Sequence, residues 1–112
     1  MLKGEVLFRG KVGQDLSIED GYEAAKICAL NILAQLHKAV EGDMNRVVRC
    51  LKLGGFVNAV PSFESHPKVL NGASDLMIRV FGDKGRHARF AMGAGSLPFN
   101  VAVEVDAVFE VI

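Results

Sequence analysis

Arg89 and Glu104 stand inside the most strand-like part of this chain, and they are the residues best suited to chemistry. A guanidinium can hold a carboxylate through two parallel hydrogen bonds, and a carboxyl group can position a water or move a proton. If the strands around them form an antiparallel hairpin, a turn centred on Leu97 sets Arg89 across from Glu104, or diagonal to it, on one face. A slip of one residue would part them. The plain alternative is a cross-strand ion pair on a solvated face, worth little.

Period-two alternation supports strands at both places. In residues 101–112, Val101, Val103, Val105, Ala107, Phe109 and Val111 share one face, while Ala102, Glu104, Asp106, Val108, Glu110 and Ile112 share the other. One face is dry and the other mixed. Residues 86–93 make a shorter strand, and Gly95, Ser96, Pro98 and Asn100 give the connection a loop composition.

The elements that must carry this pair are read from the N-terminus. A short strand is expected at residues 5–8, between Gly4 and Gly10. Ser17 and Asp20 form a capping box, so a helix should begin at Ile18 and run to about Val40. Its apolar stripe is Tyr22, Ala25, Ala29, Ile32, Leu33, Leu36 and Val40, and Gly42 supplies a left-handed stop. A long strand is expected at residues 47–60, where Gly54 and Gly55 indicate a bulge or a close approach of another backbone. A second helix should span residues 67–81, with Val69, Leu70, Ala73, Leu76, Met77, Val80 and Phe81 facing the core and Gly82 ending it. The order β-α-β-α-β-β defines an α+β two-layer sandwich, a mixed sheet with two helices on one face.

Composition narrows the function. The chain has 112 residues, enough for one domain, and half of them are hydrophobic, so part of the surface is expected to meet another subunit. Thirteen basic and thirteen acidic side chains cancel, which argues against a nucleic-acid or anionic-membrane partner. Cys28 and Cys50 lie in apolar segments without metal-ligand spacing and are expected to be inert reduced thiols. His37 reads as an exposed cation near a helix end, and His66 and His87 lack a third ligand at a suitable spacing, so no metal is expected. No apolar run resembles a signal peptide or a membrane span, and a cytoplasmic location is expected.

The segment HARFAMGAGSLPFNVAVEVDAVFEVI resembles the C-terminal signature of the YjgF-like reactive intermediate deaminases, also labelled endoribonuclease L-PSP or chorismate mutase-like. The matching features are Ala88-Arg89 opening a strand, the Leu97-Pro98 turn, and Glu104 with Asp106 two positions later. Likeness continues through Gly13 to Ser17, the alanine-rich helix, residues 46–57, and Asn71 to Asp75. It implies a cofactor-free homotrimer with sheets around a central barrel and a cleft at each subunit interface. There, enamines and imines such as 2-aminoacrylate would be hydrolysed to 2-oxoacids and ammonia.

In that reading Arg89 grips the substrate carboxylate, Glu104 orients the attacking water, and Asn71 with main-chain groups of Phe90 and Ala91 completes the binding site. Ala91 stands where active deaminases of the family usually carry cysteine. The family's two further N-terminal strands, with a Ser-Gly-Gln segment, find no counterpart, so residues 1–112 are read as one YjgF-like domain lacking the usual N-terminal β-hairpin. The rival functions are a non-catalytic binder of small carboxylates and the ribonuclease of the family label.

Overall fold

The computed structural model describes residues 8–112. Two helices, α1 (Ile18–Ala39) and α2 (His66–Phe81), cover one face of a three-stranded sheet built from β1 (Val47–Asn58), β2 (Ala88–Ala94) and β3 (Val103–Val111). This is the expected α+β sandwich. The strand expected at residues 5–8 falls almost wholly outside the described residues; the segment that follows it makes one antiparallel bridge, Arg9 with Val101. Among the described residues no helix is long and apolar enough to cross a membrane.

Local signals set the helix ends. Ser17 accepts from the Asp20 amide, and the Asp20 carboxylate accepts from the Ser17 amide, each at 3.0 Å, satisfying two of the donors that a helix start leaves unpaired. α1 ends in a turn in which Glu41, and not Gly42 as expected, takes the left-handed position at φ 55°, while the Gly42 amide donates to the His37 carbonyl at 2.8 Å. α2 stops at Gly82, whose φ of 63° with ψ of −133° lies outside the left-handed helical region but is open to glycine. On α1, Ala25, Ala29, Leu36 and Val40 of the expected stripe are buried; on α2, Val69, Leu70, Ala73, Leu76 and Met77 are. Val80 departs from the expectation, being 49% exposed.

Small residues let the helices approach closely. A Cβ at Gly72 would stand 1.9 Å from the Tyr22 carbonyl oxygen, and backbone cannot yield there without separating α1 from α2. Gly72→Ala is expected to cost about 3 kcal/mol, measurable as a lower urea midpoint with an unchanged slope.

The expected hairpin does not exist. β1 is the central strand, β2 pairs with it in parallel, and β3 pairs antiparallel on its other side. The connection through α2 brings β2 back parallel to β1, as such crossovers do, so the chain must then pass over the end of β1 to reach the remaining edge. Asn58, fully buried at that end, holds the crossing loop. Its amide donates to Asn100 Oδ1 at 3.1 Å and to the Val101 carbonyl at 3.2 Å, and its Oδ1 accepts from Lys11 Nζ at 3.0 Å. Lys11 Nζ also donates to the Gly95 carbonyl, tying the start of the loop to the same point.

Gly54 and Gly55 are not at a bulge; the register shifts of β1 lie earlier, between Val47 and Arg49 and between Cys50 and Lys52. The glycines instead admit side chains, Gly54 the Phe90 ring and the Asp106 carboxylate, Gly55 the end of Leu70.

Candidate functional site

Register decides which face each site residue takes. Arg89 is opposite Leu53, a fully buried residue of the helix-covered face, whereas Glu104 is opposite Phe56 on the uncovered face. Directly paired residues point the same way. Arg89 and Glu104 of one chain therefore lie on opposite faces, with all of β1 between their strands, a separation of roughly 9.5 Å between backbones. The same-face geometry expected from a hairpin is thus corrected: alternation assigned each strand its faces, but the two strands are not neighbours.

On the helix side, Arg89 meets α2. Its Nη1 donates to Asn71 Oδ1 at 2.9 Å and to Ser74 Oγ at 3.0 Å. Both partners are neutral, and among the described residues no carboxylate lies within ion-pairing distance of this guanidinium. Arg86, by contrast, pairs with Asp83 at 3.2 Å on the exposed turn. Asp75, the nearby acid on α2, is engaged by the Tyr22 hydroxyl at 2.8 Å, and that hydrogen bond raises the phenol's pKa above its ordinary value. With both Nη1 hydrogens used, Nη2 and Nε remain as the fork that a carboxylate takes.

Asn71, Ser74, Asp75, Ile78, Arg86, His87 and Arg89 line an open cavity of about 300 Å³, large enough for a three- or four-carbon acid. Asn71, named with Arg89 as a binding residue, thus lines the same cavity and accepts a hydrogen bond from Arg89. Phe90 turns its ring to the uncovered face, 5.5 Å from Phe56 and under Lys52 Nζ, while Ala91 packs toward the core; neither side chain lines the cavity. β2 is nonetheless an edge strand among the described residues, so its outer main-chain side has no strand partner there.

Ser74 and His87, which join Arg89 in one hydrogen-bonded chain, were not expected in the site. Ser74 is buried with its hydroxyl on Arg89, and its Oγ lies 2.9 Å from His87 Nε2; His87 Nδ1 lies 2.5 Å from the Gly85 carbonyl oxygen. The signal was present in the spacing. Ser74 follows Asn71 by three positions on a helix, and His87 precedes Arg89 by two on an extended segment, so each shares a face with a residue already chosen.

Glu104 stands on β3, the other edge strand among the described residues, and that edge borders a separate cleft of about 720 Å³ beside α1, with Cys28, Asn31, Gln35 and Phe99 on its walls. Burial pushes the Cys28 thiol up, as it does that of fully buried Cys50, so both stay protonated at neutral pH and poorly nucleophilic. The uncovered face of the sheet is apolar at Phe56, Met92 and Val108, which are 36%, 55% and 51% exposed.

A family model described as "YjgF/chorismate mutase-like, putative endoribonuclease" matches residues 1–111. The chain therefore belongs to the YjgF/chorismate mutase-like family. Protein TCP17 of Trypanosoma cruzi is 50% identical over 102 residues, a match spanning 90% of this chain and 63% of that protein. Among solved structures, Atu1372 of Agrobacterium tumefaciens, a protein of unknown function, superposes with a TM-score of 0.98 at 46% identity, over all of this chain and 71% of that one. A structure described as a putative endoribonuclease from Shewanella oneidensis gives 0.95 at 36% identity, over 99% of this chain and 73% of its own.

Proposed function

We propose that the chain hydrolyses small carboxylate-bearing enamines and imines, of the 2-aminoacrylate type, to 2-oxoacids and ammonia. The observation carrying this reading is Arg89, an exposed guanidinium held at one nitrogen by two neutral side chains at the mouth of a small cavity. A cation prepared in this way is matched to a carboxylate.

Glu104 of the same chain cannot serve that cavity, because it belongs to the other face of the sheet. The water-orienting carboxylate is accordingly Glu104 from a neighbouring copy, in a homotrimer whose contact runs from the apolar uncovered face around Phe56, Met92 and Val108 over the β2 edge, so that the neighbour's β3 reaches the Arg89 side. Closure by a second copy would also exclude water from Arg89 and strengthen its grip, since the same pair of charges attracts more strongly at low dielectric.

The Shewanella neighbour's description names a ribonuclease. A net charge of zero gives this chain little of the counterion-release drive that RNA binding uses. The test is turnover: 2-aminoacrylate generated in place by a dehydratase, with pyruvate release followed over time. Release faster than in buffer is the expected result; no acceleration by an assembled protein that still binds pyruvate would leave only a carboxylate binder.

A further inference from the structure

We infer that Ser74 and His87 form the proton relay of the Arg89 cavity, with Ser74 facing the substrate and His87 acting through it; this rests on the hydrolytic reading above. The hydrogen bonds fix the tautomer of the neutral imidazole, and with it the direction of the chain. The Gly85 carbonyl can only accept, so His87 Nδ1, 2.5 Å away, carries a proton and donates it. In the neutral ring Nε2 is then an acceptor, and the Ser74 hydroxyl donates to it across 2.9 Å. Arg89 Nη1 donates to the same hydroxyl oxygen at 3.0 Å. The order is Arg89 to Ser74 to His87 to Gly85, and a base stands two bonds behind the residue that grips the carboxylate.

Hydrolysis of an iminium needs one proton removed and later returned. As the water oxygen bonds to the carbon and the C=N π pair moves to nitrogen, a water proton passes to Ser74 Oγ while the serine proton passes to His87 Nε2. This leaves a carbinolamine and a protonated imidazole. The proton then returns through Ser74 to the amine nitrogen, the C–N bond breaks as the hydroxyl oxygen forms the carbonyl, and the departing ammonia takes the hydroxyl proton. Iminium plus water becomes 2-oxoacid plus ammonium, with the relay restored. Glu104 from the neighbouring copy orients the water and need not change its protonation.

The test uses His87→Gln, whose side-chain oxygen can still accept from Ser74 and keep Arg89 in place, and Ser74→Ala, which leaves His87 intact. Pyruvate affinity by calorimetry reads Arg89, and turnover against pH reads the relay. For His87→Gln, affinity within about threefold, kcat lower by about 10² or more, and loss of the imidazole limb of the pH profile are expected. Ser74→Ala should show the same drop in kcat. Undiminished kcat with an unchanged profile in His87→Gln overturns the relay alone. A wild-type protein without turnover overturns the hydrolytic reading, and the relay with it. Should His87→Gln fail to fold by thermal melt, undiminished kcat in Ser74→Ala overturns the relay, and loss of kcat there with its imidazole limb supports it.

Discussion

Replacing Arg89 by alanine is expected to lower kcat/KM by about 10² to 10³ and to abolish detectable pyruvate binding. A carboxylate held by two charge-assisted bonds in a closed site contributes roughly 3–4 kcal/mol, and about 1.4 kcal/mol is a factor of ten. Asn71 and Ser74 supply no replacement charge, so the loss has no local compensation. Arg89→Lys separates charge from shape. An ammonium keeps the Coulomb attraction but offers one point in place of a fork, so affinity should be intermediate, about tenfold below wild type. Calorimetry with pyruvate and initial rates with enzymatically generated 2-aminoacrylate measure both variants. Because Arg89 is exposed and touches α2 only through Nη1, a thermal melt close to wild type is expected alongside. Arg89→Ala with unaltered affinity for pyruvate would remove this residue from the site.

The sequence was most informative where one residue settles one local question. Ser17 with Asp20 marks a helix start, Gly42 and Gly82 mark helix ends, and the alternation around Glu104 gives the correct face for every residue from Val103 to Phe109. Neighbour choice was not legible. Alternation states which side of a sheet a residue faces, and nothing in residues 86–112 says that β1 lies between the two strands. That outcome depends on α2 returning β2 parallel to β1, and on Asn58, a polar residue whose value appears only when the crossing loop closes on it. Asn71 was found by resemblance. Ser74 and His87 were missed because a serine within a helix and a histidine before a strand carry ordinary meanings until both are seen on the same guanidinium.

The separation of Arg89 from Glu104 yields the sharpest test of the assembly. Each single variant, Arg89→Ala and Glu104→Gln, should be nearly inactive, the first through lost binding and the second through a water left unoriented. If every working site takes Arg89 from one copy and Glu104 from another, unfolding the two variants together and refolding them at equal amounts rebuilds intact sites. In a randomly mixed assembly about a quarter of the sites receive both native residues, and this share is the same for any closed ring in which each copy supplies one Arg89 and one Glu104. Recovery of about one quarter of the wild-type rate is therefore expected, with a hybrid mass in native mass spectrometry showing that exchange took place. A site made within one chain predicts the opposite, because each chain carries one lesion and no mixing repairs it. Activity no higher than the average of the separate variants, in a preparation shown to contain hybrids, would mean that Glu104 does not reach across copies. The geometry leaves it no route to Arg89 within one chain, so a carboxylate role for Glu104 in this cavity would then be excluded.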